Sequence, residues 1–94
     1  MAFKKKREIH LSYEAQGLIY FLCLNNEILP RTVQKKFDTI IEDVGGVYSD
    51  ALRTLLYDER VSVLSVSMEY YIGEKKLNAL RRKFYERAYA YLTK

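Results

Sequence analysis

Between Gly73 and Lys83 the sequence reads GEKKLNALRRK. On a helix starting at Gly73, residues Glu74, Lys75, Asn78, Ala79 and Arg82 point away from the apolar Leu77 and Leu80. These side chains carry the chemistry of base-edge recognition. An asparagine can bind adenine through both amide groups, lysine or arginine can donate to guanine, and alanine can touch a thymine methyl. Lys76, Arg81 and Lys83 would flank that face, where cations meet phosphates. Lys4, Lys5, Lys6 and Arg7 form a second basic cluster, of the kind that follows a backbone or enters a minor groove as a flexible arm. On the bland reading all of these are solvated charges of an amphipathic helix and a tail.

The distribution of charge favours the functional reading. The net charge of +4 conceals three zones. Residues 1–7 carry four bases and no acid, a net +4. Residues 8–72 carry five bases against ten acids, a net −5, and residues 73–94 carry seven against two, a net +5. An acidic middle between basic ends suits a localised anionic partner, and duplex DNA is the one these side chains fit.

Catalysis finds no such support. His10 is the sole histidine and Cys23 the sole cysteine, too few for a thiolate or imidazole metal site or for an internal disulfide. The adjacent acids Glu42-Asp43 and Asp58-Glu59 would point in different directions on a helix. Gly45-Gly46 reads as a helix stop, with no glycine-rich phosphate loop around it. The expectation is a protein that is not an enzyme and holds no metal or cofactor. Cys23, inside the apolar run GLIYFLCL, reads as core filler. No segment reaches the roughly 18 apolar residues of a membrane span. Glu8, His10 and Glu14 interrupt what would otherwise resemble a signal peptide, so a cytoplasmic, reduced setting is expected.

The elements that must position these residues are readable in outline. Residues 1–8 are expected to form a basic flexible tail, and residues 9–94 a single helical domain. Ser12 reads as an N-cap with Glu14 in the first turn, followed by Ala15, Leu18, Ile19, Leu22 and Cys23 at helical spacing. Pro30 opens the clearest helix, whose stripe is Val33, Phe37, Ile40, Ile41 and Val44. Ser49 is expected to cap a short helix carrying Leu52, Leu55 and Leu56 inward. From Gly73 to Leu92 runs a helix with Leu77, Leu80, Phe84 and Tyr91 on one stripe. Phe84, Tyr85, Tyr89, Tyr91 and Leu92 spread over more than one face, so they are candidates for an interface, in a homodimer or with another protein.

Residues 61–72, VSVLSVSMEYYI, admit two readings. The alternating valines and serines suggest a short strand at 61–68, which would give an α+β fold. Yet the alternation breaks at Val63-Leu64, and only residues 7–12 offer a partner strand. As a helix, Val63, Val66 and Tyr70 share a face. Val66, small Ser67, Tyr70, apolar Ile72, then Leu77 and Leu80 have the intervals of a helix-turn-helix at 63–82. Tyr71 stands where glycine is most common, and Gly73 where a Ser or Thr cap is usual.

The stretch VSMEYYIGEKKLNALRRKFYERAYAYL resembles the C-terminal helix-turn-helix of phage late-transcription regulators of the ArpU and RinA type, itself similar to region 4 of sigma factors. The resemblance covers residues 61–92. It implies a small regulator of a phage or mobile element reading the major groove with the helix that starts near Gly73. The sequence reading as a whole is an all-α bundle of about five helices, near 12–25, 30–44, 49–57, 62–71 and 74–92, that binds DNA. A small protein-binding module or inhibitor with a Tyr/Phe-rich surface is the alternative.

Overall fold

The structure, a computed structural model, describes residues 9 and 11–94. The expected basic tail, Lys4, Lys5, Lys6 and Arg7 included, lies outside the described residues, as does His10. The described residues form a compact all-α bundle of five α-helices: α1 Tyr13–Leu24, α2 Arg31–Gly45, α3 Ser49–Tyr57, α4 Val63–Tyr70 and α5 Glu74–Leu92. Short 3-10 turns precede α2 and α3, and there is no strand among the described residues.

Each start has a local cause. The Ser12 hydroxyl accepts the Ala15 amide at 3.1 Å and Glu14 sits in the first turn of α1. Pro30 occupies the N-cap of α2, just outside the helix, and its carbonyl accepts the Val33 and Gln34 amides. α2 stops where Gly46 adopts φ +55°, a conformation glycine enters without a Cβ clash. Ser49 does not cap α3 as expected; Tyr48 occupies that position with no side-chain bond. Ser49 is the first helical residue, and its hydroxyl donates to the carbonyls of Gly46 (2.7 Å) and Ile41 (3.4 Å). It thereby ties α3 to the end of α2.

The strand reading of 61–68 fails for a specific reason. The serines that create the alternation each serve a helix. Ser62 caps α4, accepting the Ser65 amide at 3.1 Å, while the Ser65 hydroxyl accepts the Ser62 amide at 2.9 Å. This reciprocal pair is a capping box with serine in place of the usual acid. Ser67 closes the other end of the helix, at the turn into α5. The β-propensity of the valines is outweighed by these caps and by burial of Val66.

Two apolar clusters hold the bundle. The larger joins Ile19 and Cys23 of α1, Phe37, Ile40 and Ile41 of α2, Leu52 and Leu56 of α3, and Leu80, Phe84, Tyr85 and Ala88 of α5. Phe37 meets Phe84 edge to face at 5.6 Å. The smaller cluster packs Ala51 of α3, Val66 of α4, Ile72 and Leu77. Leu80, expected beside Val66 and Leu77, belongs to the larger cluster instead. α1 is less simple than its spacing implied: Ala15, Ile19 and Cys23 are buried, but Leu18 is 45% exposed. Its buried Gln16 reaches back to donate to the carbonyls of Ile9 and Leu11, fixing the chain that enters the helix.

Phe84 and Tyr85 are core residues, 0% and 3% exposed, which corrects their expected role as surface anchors. Tyr89, Tyr91 and Leu92 pack as half-buried residues against the same cluster. The faces of α1, α2 and α3 that meet α5 are wide enough to cover them, so the spread of aromatics on α5 records a helix packed on several sides.

Candidate nucleic-acid interface

α4 and α5 are joined by three residues, Tyr71, Ile72 and Gly73. Both the Tyr71 and Ile72 amides donate to the Ser67 carbonyl, and the Ser67 hydroxyl donates to the Ile72 carbonyl. The bond from Ile72 spans five residues, the signature of a helix ended by one left-handed residue. That residue is Tyr71, with φ 56°. Ile72, 7% exposed, plugs the corner against Val66 and Leu77. Across the corner the Thr54 and Tyr70 hydroxyls are 3.1 Å apart, linking α3 to α4.

Gly73 then occupies the N-cap of α5, with its carbonyl accepting the Leu77 amide at 3.1 Å. Leu77 is 0% exposed and Leu80 3%, so the first turns of α5 are anchored on one side and open on the other. On the open side Lys75, Asn78, Ala79 and Arg82 line one shallow concavity of about 280 Å³, with no acidic side chain in its wall. Four of the expected base-reading residues therefore share one surface. Glu74, the fifth on that expected face, is exposed but lies outside the concavity.

The flanking cations divide. Lys76 and Lys83 are exposed, and the Lys76 ammonium lies 5.7 Å from the centre of the Tyr48 ring. Arg81 sits apart from them. Leu77, Arg81 and Tyr85 are spaced four residues apart, and the first and third are buried, so position 81 faces inward. Its side chain lines a pocket of about 340 Å³ with Tyr20, Tyr85, Asp58 and Glu59 on the far side of the helix. Its guanidinium donates to the Asn78 side-chain amide oxygen, Oδ1, at 2.7 Å. Arg81 thus braces Asn78, three residues earlier on the same helix, a spacing at which side chains meet.

The remaining titratable groups of note are structural. Burial pushes the Cys23 thiol well above its usual range, and the Tyr57 and Tyr85 hydroxyls likewise. A buried, protonated thiol is a poor nucleophile and a poor ligand. No helix among the described residues is long and apolar enough to cross a membrane. Comparison with protein-family models, curated proteins and solved structures returned no match, so the reading of this surface rests on its own geometry.

Proposed function

We propose that this chain binds duplex DNA by laying the first turns of α5 in the major groove, as a small transcriptional regulator of a phage or mobile element. The observation that carries the reading is the concavity shared by Lys75, Asn78, Ala79 and Arg82, free of acids and backed by the buried Leu77 and Leu80. A helix presented by a short, hydrogen-bonded corner, with its N-terminal turns open, is the arrangement that groove reading requires. Adenine recognition uses both groups of the asparagine amide. Engagement would therefore exchange the bond between Arg81 and the Asn78 side-chain amide oxygen for a base contact. Lys76 and Lys83 stand beside this face, where the phosphates of the groove wall would run.

The test is fluorescence anisotropy with labelled duplexes over a range of salt. Each phosphate neutralised contributes about −0.9 to the slope of log affinity against log salt. Lys76→Ala should weaken binding to every sequence and flatten the slope by about one unit. Asn78→Ala or Lys75→Ala should instead reduce discrimination among sequences, by about 1–3 kcal/mol at one base pair. Absence of salt-dependent binding to mixed-sequence DNA at low ionic strength rejects the reading.

A second reading, a protein-binding module, is favoured by one observation. Leu64, Met68 and Tyr71 are 54%, 68% and 94% exposed at intervals of four and three residues. They make an apolar stripe on the outer face of α4 and its corner, with no base on that helix. Loss of a protein partner on Met68→Glu, with DNA binding absent throughout, is the outcome that would select it.

A further inference from the structure

α2 and α5 lie antiparallel, as three contacts along their length establish. Tyr48, just after α2, meets Lys76 near the start of α5; Asp43 meets Arg87 at 3.5 Å; and the Lys36 ammonium lies 5.6 Å from the centre of the Tyr91 ring near its end. On the edge of α5 that borders α2, Lys76, Lys83 and Arg87 recur at intervals of seven and four residues, and Lys94 lies two residues past the end of the helix. At about 100° per residue the three helical positions fall within roughly 40° of one line, which runs about 16 Å along the helix. Toward its C-terminal end lies a notch of about 210 Å³ lined by Lys36, Ile40, Arg87, Ala90, Tyr91 and Lys94. Three of the six are cations and none is an acid.

The chemistry of the notch suits a phosphate. Ile40 is buried and Tyr91 half-buried, so its floor is rigid and apolar, while the Lys36 and Lys94 side chains are exposed around it. The Tyr91 ring holds the Lys36 ammonium in place before any anion arrives, which lowers the cost of ordering it. Arg87 pairs with Asp43 at 3.5 Å, with both side chains more than half exposed, and such pairs are weak. An incoming phosphate can displace Asp43 at little cost. Groove reading uses only the first turns of α5, yet cations continue beyond them, at Arg87 and at Lys94 past the end of the helix.

We propose that the notch between α2 and α5, formed by Lys36, Arg87 and Lys94, is a phosphate site that grips a backbone phosphodiester of the duplex read by the N-terminal turns of α5. The inference rests on the DNA-binding reading above and extends it to a second contact on a different pair of helices. It makes α2 part of the DNA-binding surface.

The experiment uses the full chain and a labelled mixed-sequence duplex, with affinity measured across a salt series. Lys36→Gln with Arg87→Gln should flatten the salt slope by about 0.9, for the one phosphate no longer neutralised, and leave the ratio between sequences unchanged. Lys35→Gln, one position round the same helix and outside the notch, should leave the slope as it was. Asp43→Asn should tighten binding, by removing the carboxylate that competes for Arg87. A double variant with the wild-type slope, in a protein whose sequence preference still depends on Asn78, overturns the notch and spares the base-reading face. A flattened slope with no effect of Asn78→Ala supports the notch and removes base reading. Inorganic phosphate titrated alone, at matched ionic strength, separates the two sources of the anion. Saturable binding at sub-millimolar phosphate that the double variant abolishes would assign the notch to a free anion and overturn the duplex contact. No salt-dependent DNA binding by the wild type overturns both readings.

Discussion

The Ser67 hydroxyl donates to the Ile72 carbonyl while the Ile72 amide donates to the Ser67 carbonyl at 3.1 Å. The two residues thus close the corner between α4 and α5 in both directions. A larger side chain at 67 would separate the backbones that approach here. Ser67→Ala keeps the room and removes one bond, so it should cost about 0.5–1.5 kcal/mol in urea unfolding. A variant as stable as the parent would show that the hydroxyl bond contributes nothing to the corner.

Tyr71 holds φ 56° with 94% of its surface exposed. A left-handed conformation costs a non-glycine residue roughly 1–2 kcal/mol, and an exposed ring recovers none of it by burial. Tyr71→Gly should therefore raise stability by on the order of 1 kcal/mol, despite the extra freedom of glycine in the unfolded chain. A denaturation midpoint shifted downward would mean that the ring makes a stabilising contact in solution.

Leu77 is fully buried between Ala51, Val66 and Ile72, in a cluster too small to close over a void. Leu77→Ala should cost about 2–5 kcal/mol. A loss below about 0.5 kcal/mol would show that the anchoring face of α5 lies elsewhere, and the base-reading face with it.

Alkaline pH should destabilise the fold from a definite point. Burial raises the Cys23 thiol above its ordinary value of 9.0 and the Tyr85 hydroxyl above 10.0. A nearby ionised Cys23 raises Tyr85 further, and Arg81 opposes the rise. Both groups stay neutral in the folded chain at pH values where the unfolded chain has begun to lose its protons. Their contribution is fully present below about pH 9 and declines as pH climbs from the unfolded values toward the raised native ones. Each adds a slope of about 1.4 kcal/mol per pH unit across that window. Stability followed by denaturant titration should be level from pH 7 to about 8.5 and fall above it. Cys23→Val should delay the onset by about one unit. A curve level to pH 11 would contradict the burial of both groups.

The sequence by itself determined the helices, because their signals are local. The stripe from Val33 to Val44, the Ser12 cap and the Gly45-Gly46 stop each act within a few residues, and all five helices fall within one position of the expected bounds. It also grouped Lys75, Asn78, Ala79 and Arg82, since residues on one helix face are fixed relative to one another by the helix alone. Residues 61–72 lay at the limit of this logic. Their serines mimic a strand pattern, and the reciprocal bonds of Ser62 and Ser65 decide between the two readings in favour of the helix. The tertiary structure decided whatever depends on which neighbour lies across a helix. It buried Phe84 and Tyr85, set Arg81 in a pocket beside Tyr20 of α1, and moved Leu80 into the larger cluster. It also set Lys36 of α2 over Tyr91 of α5, two residues 55 positions apart in the chain. Periodicity fixes the direction of a side chain about its own axis, but the identity of what it meets is set by packing between helices, which no local pattern encodes.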